Sequence, residues 1–151
     1  VRPDPYKSNG LAGGPAGAVE ALFTAALVLA VAAAAVLAAR RRDVRHLGLC
    51  CLLALLAFVA LGKVLSPQYM IWLVPFAAVA WGWGARVPAG LTLAAVAVTQ
   101  LEFPTRYFEL VGGDETAIAL VAIRNALLLA AGLSLAAGSA RWRPRAAAAS
   151  T

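Results

Sequence analysis

No charged residue interrupts the sequence from Ala21 to Ala39, and the run stops only at Arg40-Arg41-Arg42. A segment of that length and apolarity matches the hydrocarbon core of a bilayer, which is about 30 Å thick and takes about 20 residues of helix to cross. Similar runs recur along the chain, each bounded by charge, proline or glycine. They predict spans over 20–39, 46–62, 67–85, 88–103 and 116–140. The expected fold is therefore all-α, a polytopic membrane helix bundle of about five transmembrane helices. An extracytoplasmic segment, 1–19, precedes the transmembrane domain at 20–140, and a cytoplasmic basic tail, 141–151, follows it.

Composition supports this. Hydrophobic residues make up 62% of the 151-residue chain and charged residues 13%, where soluble domains average about 45–50% and about 25%. A domain of about 150 residues leaves roughly 30% of its unfolded surface in water, so the surplus apolar surface needs lipid. The net charge of +6 does not indicate nucleic acid, because the basic residues form short clusters between apolar runs with no aromatic interleaving and no groove-binding motif. They read as topology signals. Arg40, Arg41, Arg42, Arg45, Arg86, Arg141, Arg143 and Arg145 fall on one side of the predicted spans, and only Arg2, Lys7, Lys63 and Arg106 on the other. The imbalance predicts an N-terminus outside and a C-terminus in the cytoplasm. The polar connections at 63–69 and 103–115 then share the extracytoplasmic side.

Cys50 and Cys51 are adjacent within an apolar run. Neighbouring helical positions point about 100° apart, so neither a structural bridge nor a metal site is expected from them. No metal ligand set and no bound cofactor is expected elsewhere. The opening at Val1 and the polar, glycine- and proline-rich residues through Gly14 carry no secretory signal. They suggest a piece of a longer protein or an unusual start codon.

Chemistry-bearing residues gather in one place. Lys63 ends a span, Ser66 can cap the next helix with Pro67 as its first residue, and Gln68 and Tyr69 follow at once. A helix start offers free N–H groups to an anion, and Lys63 adds a full charge beside it, so a lipid phosphate would fit. The same residues also suit a plain membrane boundary, where lysine snorkels and aromatics anchor at the interface. Pro75 lies inside the span and is expected to kink it. Arg124 is the second candidate, since an arginine within a span must face protein, water or an anion. At about 1.5 Å per residue it would lie roughly 13 Å below the outer end. Contact with phosphate or substrate, a structural partner such as Glu20 or Glu102, and a misplaced span boundary all remain open for it. Asp114-Glu115 reads as a solvated turn capping the last helix, and His46 has no second ligand nearby.

Lys63-Val64-Leu65-Ser66-Pro67-Gln68-Tyr69-Met70-Ile71-Trp72-Leu73-Val74-Pro75 resembles the motif found late in the polyprenol-phosphate-mannose-dependent mannosyltransferases of actinobacteria, the DUF2029 or glycosyltransferase 87 family. It is similar also to a segment of the GPI mannosyltransferase I catalytic subunit. The Arg124-Asn125 pair before a leucine run and the basic tail also resemble that family's C-terminal end. The resemblance implies a partial GT-C fold, with hexose, mannose foremost, transferred with inversion from a polyprenyl-phosphate donor to a lipid- or cell-wall-linked acceptor. Transfer would occur on the extracytoplasmic side of a bacterial plasma membrane. Lys63, Ser66, Gln68, Tyr69 and Arg124 would contact donor or acceptor. The family's catalytic Asp lies in a loop upstream of anything in this chain, so the chain alone is expected to be inactive. The rival expectation is a non-catalytic small membrane protein, either an accessory subunit or a truncated relic.

Overall fold

A computed structural model describes residues 2–3, 9–10, 16–40, 43–62, 67–104 and 106–139. Apart from a two-residue antiparallel ladder, β1 (Arg2–Pro3) with β2 (Asn9–Gly10), the described chain is helical. The helices are α1 (Ala16–Ala39), α2 (Val44–Leu61), α3 (Met70–Gly82), α4 (Arg86–Glu102), α5 (Tyr107–Val111) and α6 (Glu115–Gly138), and a 3-10 turn at Pro67–Tyr69 leads into α3. Gly17–Ala39 of α1, α2 and α6 are long and apolar enough to cross a membrane. By contrast α3 has 13 residues and α4 has 17.

Local chemistry sets the boundaries. Asp43 Oδ1 accepts the His46 N–H at 2.8 Å and caps α2, which separates it from α1 within a few residues. The expected third span, 67–85, is divided. Its first three residues take the tighter 3-10 form, and its end comes at Gly82 because Gly84 adopts φ +87. With Gly84 N–H on Trp81 O at 2.9 Å and Ala85 N–H on Ala80 O at 2.9 Å, the helix closes in a Schellman motif. The next helix begins at Arg86, two residues before Pro88, because a proline in the first turn forfeits an N–H that has no intrahelical partner anyway. α3 continues through Pro75. A second Schellman closure at Gly113, φ +83, ends α5, and Asp114 then caps α6 by accepting the Ala117 N–H at 2.9 Å. The turn-and-cap role expected for Asp114 is what its side chain performs.

Packing builds a four-membered ring: α2 on α3, α3 on α4, α4 on α6, and α6 back on α2. Leu49, Leu52, Leu56 and Val59 recur at helical spacing on one face of α2 and meet Met70 and Leu73 of α3 and Leu128 and Leu135 of α6. Fully buried alanines, among them Ala77, Ala89, Ala95, Ala117 and Ala131, allow close backbone approach without large side chains. Helix α1 leans on α2 alone among its principal contacts and, of its hydrophobic residues from Ala18 to Ala39, buries only Ala34. Its 18-residue apolar window is 6% buried against 44% for α2, so Leu22, Val28, Leu29 and Val36 are left facing outward. In water such a surface would be a liability; in hydrocarbon it is the ordinary outer face of a span.

Candidate functional site

Connectivity brings the end of α2, the Pro67–Tyr69 turn, the end of α4, α5 and the start of α6 to one end of the bundle. Within it, Arg124 Nη1 donates to Glu102 Oε2 at 2.8 Å, and both side chains are 3% exposed. Arg124 Nε donates to Asn125 Oδ1 at 3.2 Å. Of the expected partners, Glu102 is the one that binds; Glu20 lies on the exposed side of α1.

Why the carboxylate is there follows from the faces that meet. Pro88, Ala89, Thr92, Ala95, Thr99 and Glu102 form the buried stripe of α4, and Ala117, Arg124, Leu128, Ala131 and Leu135 that of α6. The Thr92 and Thr99 hydroxyls donate to Pro88 O and Ala95 O, each at 2.8 Å, so they need nothing from α6. Glu102 ends α4, where the helix dipole opposes a negative charge. The arginine across the interface compensates it. Arg124 sits well along α6 while Glu102 is the last residue of α4, so the first turns of α6 project beyond α4, where α5 packs against them. The pair is thus level with the end of α4.

The turn entering α3 is built differently. Tyr69 is half-buried with its ring 4.9 Å from that of Trp72 at 34° and 6.1 Å from that of Phe58 on α2 at 59°. These are the offset and tilted arrangements that aromatic rings favour. Gln68 is exposed beside it. Lys63 and Ser66 lie outside the described residues. Among the described residues, then, the Tyr69 and Trp72 rings come together with Gln68 exposed next in the chain, and no described hydrogen bond joins them to the Arg124–Glu102 pair. An aromatic ring and an exposed amide can stack on and hydrogen-bond a sugar.

At the opposite end, His46 Nε2 lies 2.7 Å from Leu37 O; a carbonyl only accepts, so the ring donates and ties α2 to α1. Cys50 and Cys51 are free thiols, the first buried. No cluster of His, Cys, Asp and Glu able to hold a metal occurs among the described residues. An open groove of about 710 Å³ runs along Gly17, Glu20, Ala21, Thr24, Ala25, Val28 and Leu29. Among the described residues, all of its lining comes from α1. One contact escaped the sequence reading: a Cβ built on Gly48 would fall 2.5 Å from the Trp83 ring, so only glycine admits that tryptophan against α2. A glycine inside an otherwise bulky apolar run was its one sequence signal.

No protein-family model, no curated protein and no solved structure matches this chain.

Proposed function

We propose that this chain is the C-terminal portion of a bacterial membrane glycosyltransferase of the GT-C type. It would hold about five spans, with the N-terminus outside and the C-terminus cytoplasmic. In this reading it transfers a hexose, mannose foremost, from a polyprenyl-phosphate donor to a lipid- or wall-linked acceptor on the extracytoplasmic side. The observation that carries the proposal is the Lys63–Pro75 segment. Its described part supplies an exposed amide, Gln68, next to an aromatic pair, Tyr69 and Trp72, at a helix entrance.

The chemistry suits that arrangement. As the sugar leaves, negative charge collects on the donor phosphate, and a cation with pre-set hydrogen-bond donors stabilises that charge more than it stabilises the ground state. Lys63 and Gln68 would serve there, while Tyr69 and Trp72 give a sugar face a ring to lie on. The base that activates the acceptor would come from the upstream Asp that the resemblance implies. Arg124 belongs to the same end of the bundle and, through Glu102, would position the wall behind the donor.

One observation favours the rival reading of a non-catalytic accessory membrane protein. Arg124 and Tyr69 are both occupied in packing, the first by Glu102 and the second by Phe58 and Trp72. Transfer of radiolabelled mannose from a polyprenyl-phosphate donor decides between the two, in membranes carrying the complete open reading frame as wild type, Lys63→Ala or Gln68→Ala at matched protein levels. The enzyme reading expects an active wild type and variants whose turnover is lost. A wild type that transfers no sugar, from mannose donors and then from other hexose donors, leaves the accessory role.

A further inference from the structure

We propose that the end of the bundle formed by the start of α2 and the α3–α4 turn binds the headgroup of an anionic phospholipid between Arg45 and Arg86, with Arg40, just after α1, at its edge. The first turns of α2 and the α3–α4 turn are pinned together. The Trp83 ring rests where a side chain on Gly48 would be, at 2.5 Å and 2.7 Å from the position of the absent Cβ. Arg45 lies one helical turn before Gly48 on the same strip of α2, and Arg86 lies three residues after Trp83, at the start of α4. The one indole contact therefore holds both arginines at the same end of the molecule. Arg40 directly follows α1 and is exposed, as is Arg86.

Three features specify the ligand. Arg45 is half-buried, and its Nε is shut off from solvent without a hydrogen-bond partner. A guanidinium nitrogen in that state calls for an acceptor, and phosphate oxygens match its planar fork. Charge is one-sided as well, because Asp43 is the single described carboxylate at this end and its Oδ1 is committed to the His46 N–H. Finally, large apolar side chains stand exposed beside the arginines: Val44 is 78% exposed, Val87 66% and Leu47 52%, with Trp81 alongside. A soluble phosphate would leave them in water, whereas a phospholipid covers them with its acyl chains while its headgroup meets the guanidinium groups. The proposal is independent of the glycosyltransferase reading.

The test uses the whole chain with Trp72→Phe and Trp142→Phe, so that fluorescence comes from Trp81 and Trp83. It is reconstituted in phosphatidylcholine vesicles containing a minor fraction of either brominated phosphatidylglycerol or brominated phosphatidylcholine. The anionic brominated lipid should quench more strongly at equal mole fraction. Arg86→Gln should lower that preference about fivefold, the equivalent of about 1 kcal/mol for one arginine at an anionic surface, and Arg45→Gln with Arg86→Gln should abolish it. Arg106→Gln, at the opposite end and paired with Glu109 at 3.9 Å, should leave it unchanged. If Arg45→Gln loses helical circular dichroism, Arg86→Gln carries the test, since that side chain is exposed. Equal quenching by the two lipids in the parent, or a preference that survives loss of both arginines, overturns the proposal. Abolition by inorganic phosphate at constant ionic strength also overturns it, marking a site for soluble anions instead.

Discussion

Replacing Glu102 by alanine leaves Arg124 buried with no carboxylate opposite it. At 2.8 Å and an effective dielectric of about 20, the Coulomb attraction of the pair is about 6 kcal/mol. Desolvation of two ions, several kcal/mol each, offsets most of that, so the intact pair is nearly neutral relative to a well-packed apolar substitute. The balance changes when a single partner is removed. A guanidinium does not shed its proton to escape burial, and the uncompensated charge costs about 3–5 kcal/mol. Glu102→Ala, Glu102→Leu and Arg124→Met should each destabilise by about that amount, whereas Glu102→Leu with Arg124→Met should fall near wild type or above it. Unfolding by sodium dodecyl sulfate in mixed micelles, followed by far-ultraviolet circular dichroism, measures all members of the cycle. A cost below about 1 kcal/mol for Glu102→Ala would mean that water reaches the pair and screens it as at a surface. Strictly additive single substitutions would equally refute the coupling across α4 and α6.

Three further outcomes follow from contacts elsewhere. Gly48→Ala places a methyl group 2.5 Å from the Trp83 ring and should cost about 1–3 kcal/mol by overpacking; Trp83→Ala in the same chain should recover part of the loss, read as thermal unfolding in detergent. Asp114→Ala removes the cap on the Ala117 N–H and should cost about 1 kcal/mol, with Asp114→Asn close to wild type in the same titration. Leu49 is 0% exposed on the buried face of α2, so Leu49→Ala should cost about 2–5 kcal/mol. The same change at Leu29, 69% exposed on α1, should cost far less, and equal effects would place α1 in the core.

How much of this was legible beforehand varies with the kind of signal. The runs that became α1, α2 and α6 were plain, and their ends came within a few residues because charges, Asp114 and glycines mark them locally. The end of α3 was harder: Trp81-Gly82-Trp83-Gly84 offers two glycines, and the one that takes the left-handed conformation is settled by closure onto Ala80 O. Helix α5 went unforeseen, because five residues have almost no helical stability of their own and are held by packing on α6. The β1–β2 ladder was missed for a similar reason, since two residues carry no alternation to read. At the candidate site, Gln68 and Tyr69 were picked out by residue type, and Glu102 was named as a partner for Arg124 without grounds to prefer it over Glu20.

The sequence alone determined that the chain is helical and carries segments suited to a bilayer, because hydropathy and helix length are properties of consecutive residues measured against a fixed thickness. It also determined that Arg124 needed a partner, since an arginine in an apolar run cannot go uncompensated. Which partner, and at what level of the bundle, was decided by tertiary structure. Glu102 and Arg124 are 22 residues apart, and they meet only because the small-residue stripe of α4 packs on α6 while the first turns of α6 project past α4. Gly48 and Trp83 meet for the same kind of reason. Such contacts depend on which helix faces are turned toward each other, and that is settled by the joint packing of all four helices in the ring.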